Sequence, residues 1–260
     1  MDYITLHHRV YPCPDTGATP IVLLHGLLGS SSNWHSIARQ LSEHHPVLVP
    51  DLRNHGQSPH GEPMDYQAMC DDLAGLFDDL AYGELILIGH SMGGKLAMEF
   101  ALQYPQRVMK LVIVDTAPVH YSYDFADIFA GLRAVKVVQI KQRSDADQQM
   151  AEHISEAAIR QFLLQNLVRS DRGWQWRIDL DLLQAAIPSI QAPPPSLQGG
   201  HYGGQVLVIY GEKSNYVQPT FHALFKRHFP EDAFNSIADA GHWVYAEQPQ
   251  AFMQALNAFL

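Results

Sequence analysis

The stretch Leu85-Ile86-Leu87-Ile88-Gly89-His90-Ser91-Met92-Gly93 decides the fold of this 260-residue chain. An apolar run leads into a tight turn, and a helix-like segment follows from Gly94 to Tyr104. A sharp turn from strand to helix strains the backbone of its central residue, and glycines two positions away on either side avoid a clash with it. The turn raises the Ser91 hydroxyl above its neighbours, while the first N–H groups of the helix point at developing negative charge. The pattern therefore predicts a reactive serine at position 91.

The chain is acidic, with a net charge of −10 from 17 basic and 27 acidic residues. This charge argues against nucleic acid or an anionic membrane as the main partner, because both repel an acidic surface. Hydrophobic residues make up 47% and charged residues 17% of the chain, which is ordinary for a globular protein. We expect a small neutral molecule as the partner.

Cysteine content and the amino-terminal sequence predict a cytoplasmic protein. Cys13 and Cys70 are the only cysteines, too few for a disulfide framework. Met1-Asp2-Tyr3 lacks the basic-then-apolar pattern of a signal peptide, and no apolar run approaches the roughly 18 residues needed to span a bilayer. We therefore expect no integral association with a membrane.

The fifteen histidines are scattered along the chain. Neither a His-Glu-x-x-His motif nor a cluster of cysteines and histidines occurs in the sequence. We expect neither a metal nor a cofactor.

Short apolar runs alternate with helix-like segments along most of the chain. Runs without polar interruptions are typical of strands covered on both faces, which predicts a mostly parallel, twisted sheet flanked by helices. The segment from Tyr3 to Val10 is expected to add an antiparallel edge. The predicted buried strands are Ile21 to Leu24, Val47 to Val49, Leu85 to Ile88, Leu111 to Val114, Val206 to Tyr210 and a weaker one near Phe234 to Ile237.

Two further helices follow from capping residues and apolar spacing. Asp65 is suited to cap a helix with a single apolar stripe. A terminal helix is predicted from Phe252 to Leu260, behind Pro249, because proline is tolerated near a helix start. The stripe of the first helix consists of Met69, Leu73, Leu76, Phe77 and Leu80.

The regular alternation stops over residues 119–204, where helical patterns occur without a convincing strand. We interpret this segment as a helical lid inserted after the sixth strand of an α/β core formed by residues 1–118 and 205–260. An insertion at that point would lie over the carboxyl ends of the strands, where open α/β sheets bind ligands.

One long helix is predicted inside the lid. Met150, Ile154, Ala158 and Phe162 recur every four residues, which places them on one helix face.

A serine hydroxyl needs a base within hydrogen-bond reach, usually a histidine held by a carboxylate. His242 lies in Ala240-Gly241-His242-Trp243, between the last predicted strand and the terminal helix. That position suits the base in a chain order of serine, acid and histidine. His90 adjoins Ser91, but its side chain leaves the turn in another direction, which favours structural packing.

The acid is expected to be Asp115. In many enzymes of this architecture the acid follows the strand Val206 to Tyr210, but Ser214 stands where an aspartate would be expected, and a serine cannot stabilise an imidazolium by charge. Asp115 ends the strand next to that of the nucleophile, across a right-handed crossover. Glu212 and Asp239 remain alternatives, and Ser214 is expected to bond to the His242 ring from its other side.

Two backbone N–H groups usually stabilise the oxyanion. Met92, directly after the serine, supplies the first. Leu27 supplies the second, because it lies in the glycine-containing turn that follows the strand Ile21 to Leu24. The stretch from Asp51 to Ser58 should brace the loop below the site, with Asn54 or His55 as possible substrate contacts.

These residues together resemble the α/β-hydrolase superfamily over nearly the whole chain, and the bacterial YbfF-type esterases within it. The resemblance implies Ser91, Asp115 and His242 as a catalytic triad, and Ser214 as an additional site residue. It also implies hydrolysis of short to medium acyl esters and of acyl-CoA thioesters. The stretches that carry it are Leu24 to Ser30, Asp51 to Ser58, Gly89 to Lys95 and Val114-Asp115-Thr116-Ala117-Pro118.

Coenzyme A would need a cationic contact for its phosphates. Arg133, Lys136, Lys141 and Arg143 form a local basic patch in the lid, although a solvated helix face is the commoner meaning of such a patch.

Two other functions remain open at this level. A carbon–carbon hydrolase or a lyase would use the same groups on other substrates, and a non-catalytic receptor would use the pocket to sense a small molecule.

Overall fold

The computed structural model describes residues 3–15, 17–171 and 173–260, and a seven-stranded sheet runs through its centre. Met1 and Asp2, which entered the prediction about a signal peptide, lie outside the described residues, as do Thr16 and Arg172. The strands are β1 (His8–Tyr11), β2 (Ile21–Leu24), β3 (Val47–Pro50), β4 (Leu85–His90), β5 (Val108–Val114), β6 (Leu167–Ser170), β7 (Gly173–Trp176), β8 (Gln205–Gly211) and β9 (Asp232–Ile237).

The order in the main sheet is β1-β3-β2-β4-β5-β8-β9, with β1 antiparallel to β3 and every other pair parallel. The predicted mostly parallel sheet is confirmed, and each predicted buried strand lies at its expected place. The antiparallel edge begins at His8 instead of Tyr3. Before His8 the backbone N–H groups bond to side chains instead of to a neighbouring strand: Ile4 N–H donates to Asp72, and His7 N–H donates to Ser58.

Helices flank this sheet on both faces. Alternate residues of a strand point to opposite sides, so Val22 and Leu24 belong to one hydrophobic core and Ile21 and Leu23 to the other. The helices are α1 (His35–Leu41), α2 (Tyr66–Asp79), α3 (Met92–Gln103), α4 (Ala126–Ala134), α5 (Arg143–Met150), α6 (Ala157–Leu163), α7 (Leu180–Gln191), α8 (His222–His228), α9 (Val244–Glu247) and α10 (Pro249–Phe259).

Both helices predicted from capping and spacing are confirmed. The Asp65 carboxylate accepts the Ala68 N–H at 2.9 Å and caps α2. Pro249 occupies the first turn of α10, which packs in the core on the α1 side of the sheet.

The lid, residues 119–204, follows β5, which is the fifth strand of the described chain and not the sixth. It contains four helices, α4 to α7, together with strands β6 and β7, which pair antiparallel. The prediction of a lid without a strand was therefore wrong. The alternation of Trp174 and Trp176 is the period-two signal that marks this pair. The boundaries between core and lid stay a prediction.

The predicted long helix of the lid is also wrong, because α5 ends at Met150 and α6 begins at Ala157. Arg160 explains how the interruption is tolerated. Its Nη1 donates to the carbonyls of Ile154 and Ser155 at 2.8 Å, so these groups are satisfied without an intervening helix. Ile154 remains buried in the break.

Lys95 on α3 joins the start of the lid and the end of α7 to the core. Its Nζ donates to the carbonyl of Val119 at 2.8 Å and to those of Gln191 and Ala192 at 2.8 and 2.7 Å. Burial lowers the pKa of Lys95 to about 7. Three acceptors match the three donors of an ammonium group, so the protonated form satisfies all of them.

Within residues 3–15, 17–171 and 173–260, we find no helix with the length and apolar character needed to cross a membrane.

A buried ion pair ties the loop after β3 to α2. Arg53 Nε lies 2.5 Å from Asp72 Oδ2, and its Nη2 lies 2.7 Å from Oδ1. The two side chains are 3% and 1% exposed. Because little water reaches them, each charge depends on the other for its solvation.

We predict that Asp72→Asn destabilises the protein by about 3–5 kcal/mol, since it leaves the Arg53 charge buried and uncompensated. The measurement is the free energy of unfolding in urea. Asp78→Asn is the matched control, because Asp78 pairs with Arg107 at the surface and is 71% exposed. The control should lose no more than about 1 kcal/mol, and equal losses in the two variants would contradict the prediction.

Candidate active site

Ser91 occupies the strained turn between β4 and α3, with φ of 53° and ψ of −117°. A Cβ on Gly89 would lie 2.1 Å from the Gly93 carbonyl oxygen, and one on Gly93 would lie 2.6 Å from the carbonyl oxygens of Leu24 and His25. The Ser91 N–H donates to the Val114 carbonyl at 3.0 Å. The turn is thus held against the ends of β2 and β5, which places Ser91 at the carboxyl edge of the sheet.

Asp115 and His242 form a close pair beside this turn. Asp115 directly follows β5, has φ of 49° and is fully buried. Its Oδ2 lies 2.6 Å from His242 Nδ1. Because the carboxylate accepts, Nδ1 carries the ring proton and Nε2 is left as a proton acceptor. That tautomer is the one a general base requires.

The other two candidate acids lie elsewhere. Asp239 is paired with the exposed Lys213 at 2.7 Å, and Glu212 accepts the Asp239 N–H at 3.4 Å. Of the three candidates, Asp115 is the one the structure brings to His242.

Ser214 bonds to the carboxylate and not to the imidazole. Its hydroxyl donates to Asp115 Oδ2 at 2.5 Å, and the Gly211 N–H donates to Oδ1 at 3.1 Å. The prediction that Ser214 bonds to the His242 ring was therefore wrong. The reason is the turn after β8, in which Ser214 N–H bonds to the Gly211 carbonyl and carries the hydroxyl over the buried carboxylate.

Two rings border the His242 imidazole. Tyr216 stacks on it with centroids 4.0 Å apart and planes at 18°, and the His90 ring lies at 4.6 Å. His90 Nε2 lies 2.9 Å from the His242 carbonyl oxygen. Burial and the neighbouring His242 lower the pKa of His90 well below its usual range, so His90 is neutral and donates to that carbonyl. The sequence carried no signal for Tyr216, whereas the packing role expected for His90 matches its position.

Ser91 and His242 line the same cavity, which encloses about 780 Å³ including its open mouth. Among the described residues, no hydrogen bond joins the Ser91 hydroxyl to His242. Such bonds are often long before substrate binds and shorten in the complex. The walls are mostly apolar, and the lid contributes Phe125, Ile128, Ile159, Phe162 and Leu163 to them.

The predicted oxyanion residues meet at a second, smaller cavity of about 350 Å³. Leu27, Met92 and Ser91 all line it. Leu27 lies in a turn closed by the Gly29 N–H, which donates to the Gly26 carbonyl at 3.0 Å. Met92 begins α3, so its N–H belongs to the unpaired first turn of that helix. The structure therefore brings both residues next to the serine.

The loop after β3 braces this turn, as expected. Asp51 accepts the Ser31 N–H at 2.6 Å, and His55 Nε2 accepts the Leu28 N–H at 3.0 Å. Asn54 donates to the Gly61 carbonyl. Asn54 and His55 are fully buried and bond to main chain, so neither contacts the cavities as a substrate ligand would.

The basic patch of the lid is partly neutralised. Arg133 pairs with Asp181 at 2.7 Å, and Arg143 donates to the Leu167 carbonyl at 3.0 Å. Lys136 and Lys141 are exposed. Apart from residues 1, 2, 16 and 172, the chain holds no group of three or more histidine, cysteine, aspartate or glutamate residues arranged to bind a metal.

Comparison with known proteins agrees with this architecture. Residues 19–249 match a family model for the alpha/beta hydrolase fold. The chain is 41% identical over 255 residues to the sn-1-specific diacylglycerol lipase ABHD11 of Mus musculus, covering 95% of this chain and 82% of the relative. It is 37% identical over 243 residues to the esterase YbfF of Escherichia coli strain K12, covering 93% of each. A solved marine microorganism esterase has a TM-score of 0.93 and 33% identity, covering 99% of this chain and 100% of that one.

The chain belongs to the α/β-hydrolase family. The resemblance to YbfF-type esterases, inferred from the motifs around Ser91 and Asp115, is confirmed.

We predict that Gly93→Ala destabilises the protein by about 1–3 kcal/mol, because its Cβ would overlap backbone carbonyls of Leu24 and His25. Urea unfolding measures the change. Gly83→Ala is the control, since a Cβ on Gly83 meets nothing within 4 Å. An unchanged stability of Gly93→Ala would show that β2 and the turn are not in contact.

Proposed function

We propose that this protein is a serine hydrolase that cleaves carboxylic esters through an acyl-enzyme intermediate. Ser91 is the nucleophile, His242 the base and Asp115 the carboxylate that orients it. The observation that carries the proposal is the 2.6 Å contact between His242 Nδ1 and Asp115 Oδ2, in a cavity that Ser91 also lines. Relatives named esterase and lipase support the ester class of substrate.

In the first half of the reaction, His242 Nε2 takes the proton from Ser91 Oγ as this oxygen attacks the carbonyl carbon. The N–H groups of Leu27 and Met92 stabilise the resulting oxyanion. The imidazolium then gives its proton to the departing alcohol or thiol. In the second half, water attacks the acyl-enzyme with His242 as base, and the carboxylic acid leaves.

The neighbours of His242 have complementary parts in this scheme. Asp115 stabilises the imidazolium by charge, and the face of Tyr216 offers it a cation–π contact. Ser214 donates to the same Asp115 oxygen, Oδ2, that bonds to His242, and so helps to hold the carboxylate in place. Asp115 and Tyr216 stabilise His242 most when it becomes charged, which is when the transition state forms.

The two cavities at Ser91 suggest how an ester is oriented. A leaving group has to lie near His242, because His242 protonates it. The larger cavity contains His242 and the smaller one does not. We assign the leaving group to the larger cavity and the acyl group to the smaller one, which contacts Leu27, Ser91 and Met92. This assignment favours short to medium acyl chains.

Acyl-CoA thioesters are the second substrate class in this proposal. The same acyl-enzyme chemistry cleaves a thioester, and the exposed Lys136 and Lys141 leave cationic groups in the lid for phosphates. The free Cys13 and Cys70 accord with the cytoplasmic location that we propose for the protein.

We predict that Ser91→Ala lowers kcat for p-nitrophenyl butyrate by a factor of about 10⁴ or more, because the attacking oxygen is lost. Asp115→Asn should lower it by a similar factor of about 10⁴ with binding largely preserved, since the wrong imidazole tautomer results. Asp239→Asn is the control and should keep full activity. Retained turnover in Ser91→Ala, or no fluorophosphonate labelling of Ser91 in the unaltered protein, would refute the proposal and favour a receptor.

We predict that lengthening the acyl chain and lengthening the alcohol have different effects. From p-nitrophenyl butyrate to decanoate, kcat/KM should fall by about tenfold or more, because the smaller cavity cannot expand without displacing packed rings. Along butyrate esters of longer alcohols, kcat/KM should change by less than about threefold. Butyryl-CoA tests the thioester class in the same series. The reverse order of effects would show that the two cavities are assigned the wrong way round.

A further inference from the structure

Leu28, next to the proposed oxyanion donor Leu27, has an unusual backbone. Its φ is 61°, in the left-handed region that a bulky residue avoids, and its side chain is 4% exposed. Turns with this geometry at their third position normally carry glycine. A leucine remains in such a conformation only when its surroundings hold it there.

Both backbone groups of Leu28 are held by buried side chains from different parts of the chain. On the core side, His55 Nε2 accepts the Leu28 N–H at 3.0 Å. On the lid side, Asn166 Nδ2 donates to the Leu28 carbonyl at 2.8 Å. Asn166 is 3% exposed and lies between α6 and β6.

His55 is in the state that this contact requires. Its Nδ1 lies 2.9 Å from the Arg53 carbonyl oxygen, so Nδ1 carries the proton and Nε2 is free to accept. Burial, together with the nearby His25, lowers the pKa of His55 to about 3. The ring therefore stays neutral at neutral pH.

We propose that Asn166 and His55 are positioning residues for the oxyanion hole, which makes a side chain of the lid part of the catalytic machinery. They fix the peptide groups on both sides of the Leu28 Cα and so set the direction of the adjacent Leu27 N–H. When Asn166 bonds to the Leu28 carbonyl, the Leu27 N–H points at the oxyanion. Without Asn166, the Leu28 carbonyl is left buried and unpaired. This inference rests on the proposed serine-hydrolase function.

Asn166→Ala should lower kcat for p-nitrophenyl butyrate by about 10- to 100-fold, with KM changed by less than about threefold, because the oxyanion forms only in the transition state. Gln165→Ala is the matched control. Gln165 is in the same turn and accepts a hydrogen bond from Asn33 at 2.9 Å, but it does not contact Leu28. It should keep activity within about threefold. An equal loss in both variants would assign the effect to lid docking and overturn the proposal.

A pair of inhibitors isolates the oxyanion itself. The Ser91 oxygen adds to the carbonyl carbon of a phenyl-substituted trifluoromethyl ketone, and the product is a hemiketal oxyanion. The matched methyl ketone binds without this addition. The ratio of the Kd of the methyl ketone to the Kd of the trifluoromethyl ketone should be smaller in Asn166→Ala than in the unaltered protein. The expected decrease is the factor by which kcat/KM falls in the same variant. A merely structural role for Asn166 would leave this ratio unchanged, and that result would overturn the proposal. Asn166→Leu, which keeps a similar shape and removes the donor without adding a charge, serves the same measurement if the alanine variant does not fold.

His55 provides a second, independent variant pair. The amide oxygen of His55→Gln can accept at the place of Nε2, whereas His55→Leu cannot accept at all. We expect the glutamine variant to retain the ketone ratio and the leucine variant to lose it. Failure of the unaltered protein to distinguish the ketones, together with absent ester turnover, would refute the proposed function. Normal discrimination that persists in Asn166→Ala and His55→Leu would refute this inference alone.

Discussion

The close approach of the turn at Ser91 to the end of β2 is the constraint on which the rest of the site depends. Gly93 packs its backbone against the carbonyls of Leu24 and His25, and any side chain there would overlap them. This contact fixes Ser91 with φ of 53° between two loops that belong to different strands. The turn after β2 brings Leu27 to a cavity that Ser91 also lines, and the end of β5 brings Asp115 to His242. A parallel sheet makes this possible because its carboxyl ends meet at one edge.

Backbone strain in this protein is concentrated where these loops converge. Leu28, Asn54, Ser91 and Asp115 all have positive φ without being glycine. Each has main-chain or side-chain partners that compensate the cost, which is of order 1–3 kcal/mol per residue. For Leu28 these partners are the buried side chains of His55 and Asn166. The buried His25 ring links the neighbouring loops, because it bonds to the Gly26 carbonyl and the Leu52 N–H. In the proposed function, a polar framework of this kind keeps the oxyanion donors and the carboxylate in place before a substrate arrives.

Hydrogen bonds join the lid to the core, although the bonded residues lie far apart along the chain. Lys95 on α3 bonds to the start of the lid and to the end of α7, and Asn166 reaches from the lid to the turn after β2. The lid also supplies much of the apolar wall of the larger cavity. In the proposed mechanism, substrate access and the alignment of the oxyanion donors therefore depend on the same segment. A lid that moves away would uncover the cavity and release the Leu28 carbonyl together.

The sequence by itself determined the parallel sheet, the turn at Ser91 and the candidates His242, Asp115, Leu27 and Met92. These features rest on local rules: unbroken apolar runs, glycines at fixed offsets and the order of residues along the chain. It also indicated that Ser214 stands where an acid would be expected, although the partner it assigned to that serine was wrong.

Only the tertiary structure decided which side chains meet across long separations. Asp115 pairs with His242 across 127 positions, and Asn166 reaches Leu28 across 138. At the break in the predicted lid helix, Arg160 donates to the Ile154 carbonyl. The stack of Tyr216 on His242 depends on how two loops pack. Sequence periodicity describes which face of a single element is buried, but it carries no information about the partner opposite that face. The geometry of the site therefore emerges only when the strands are placed side by side.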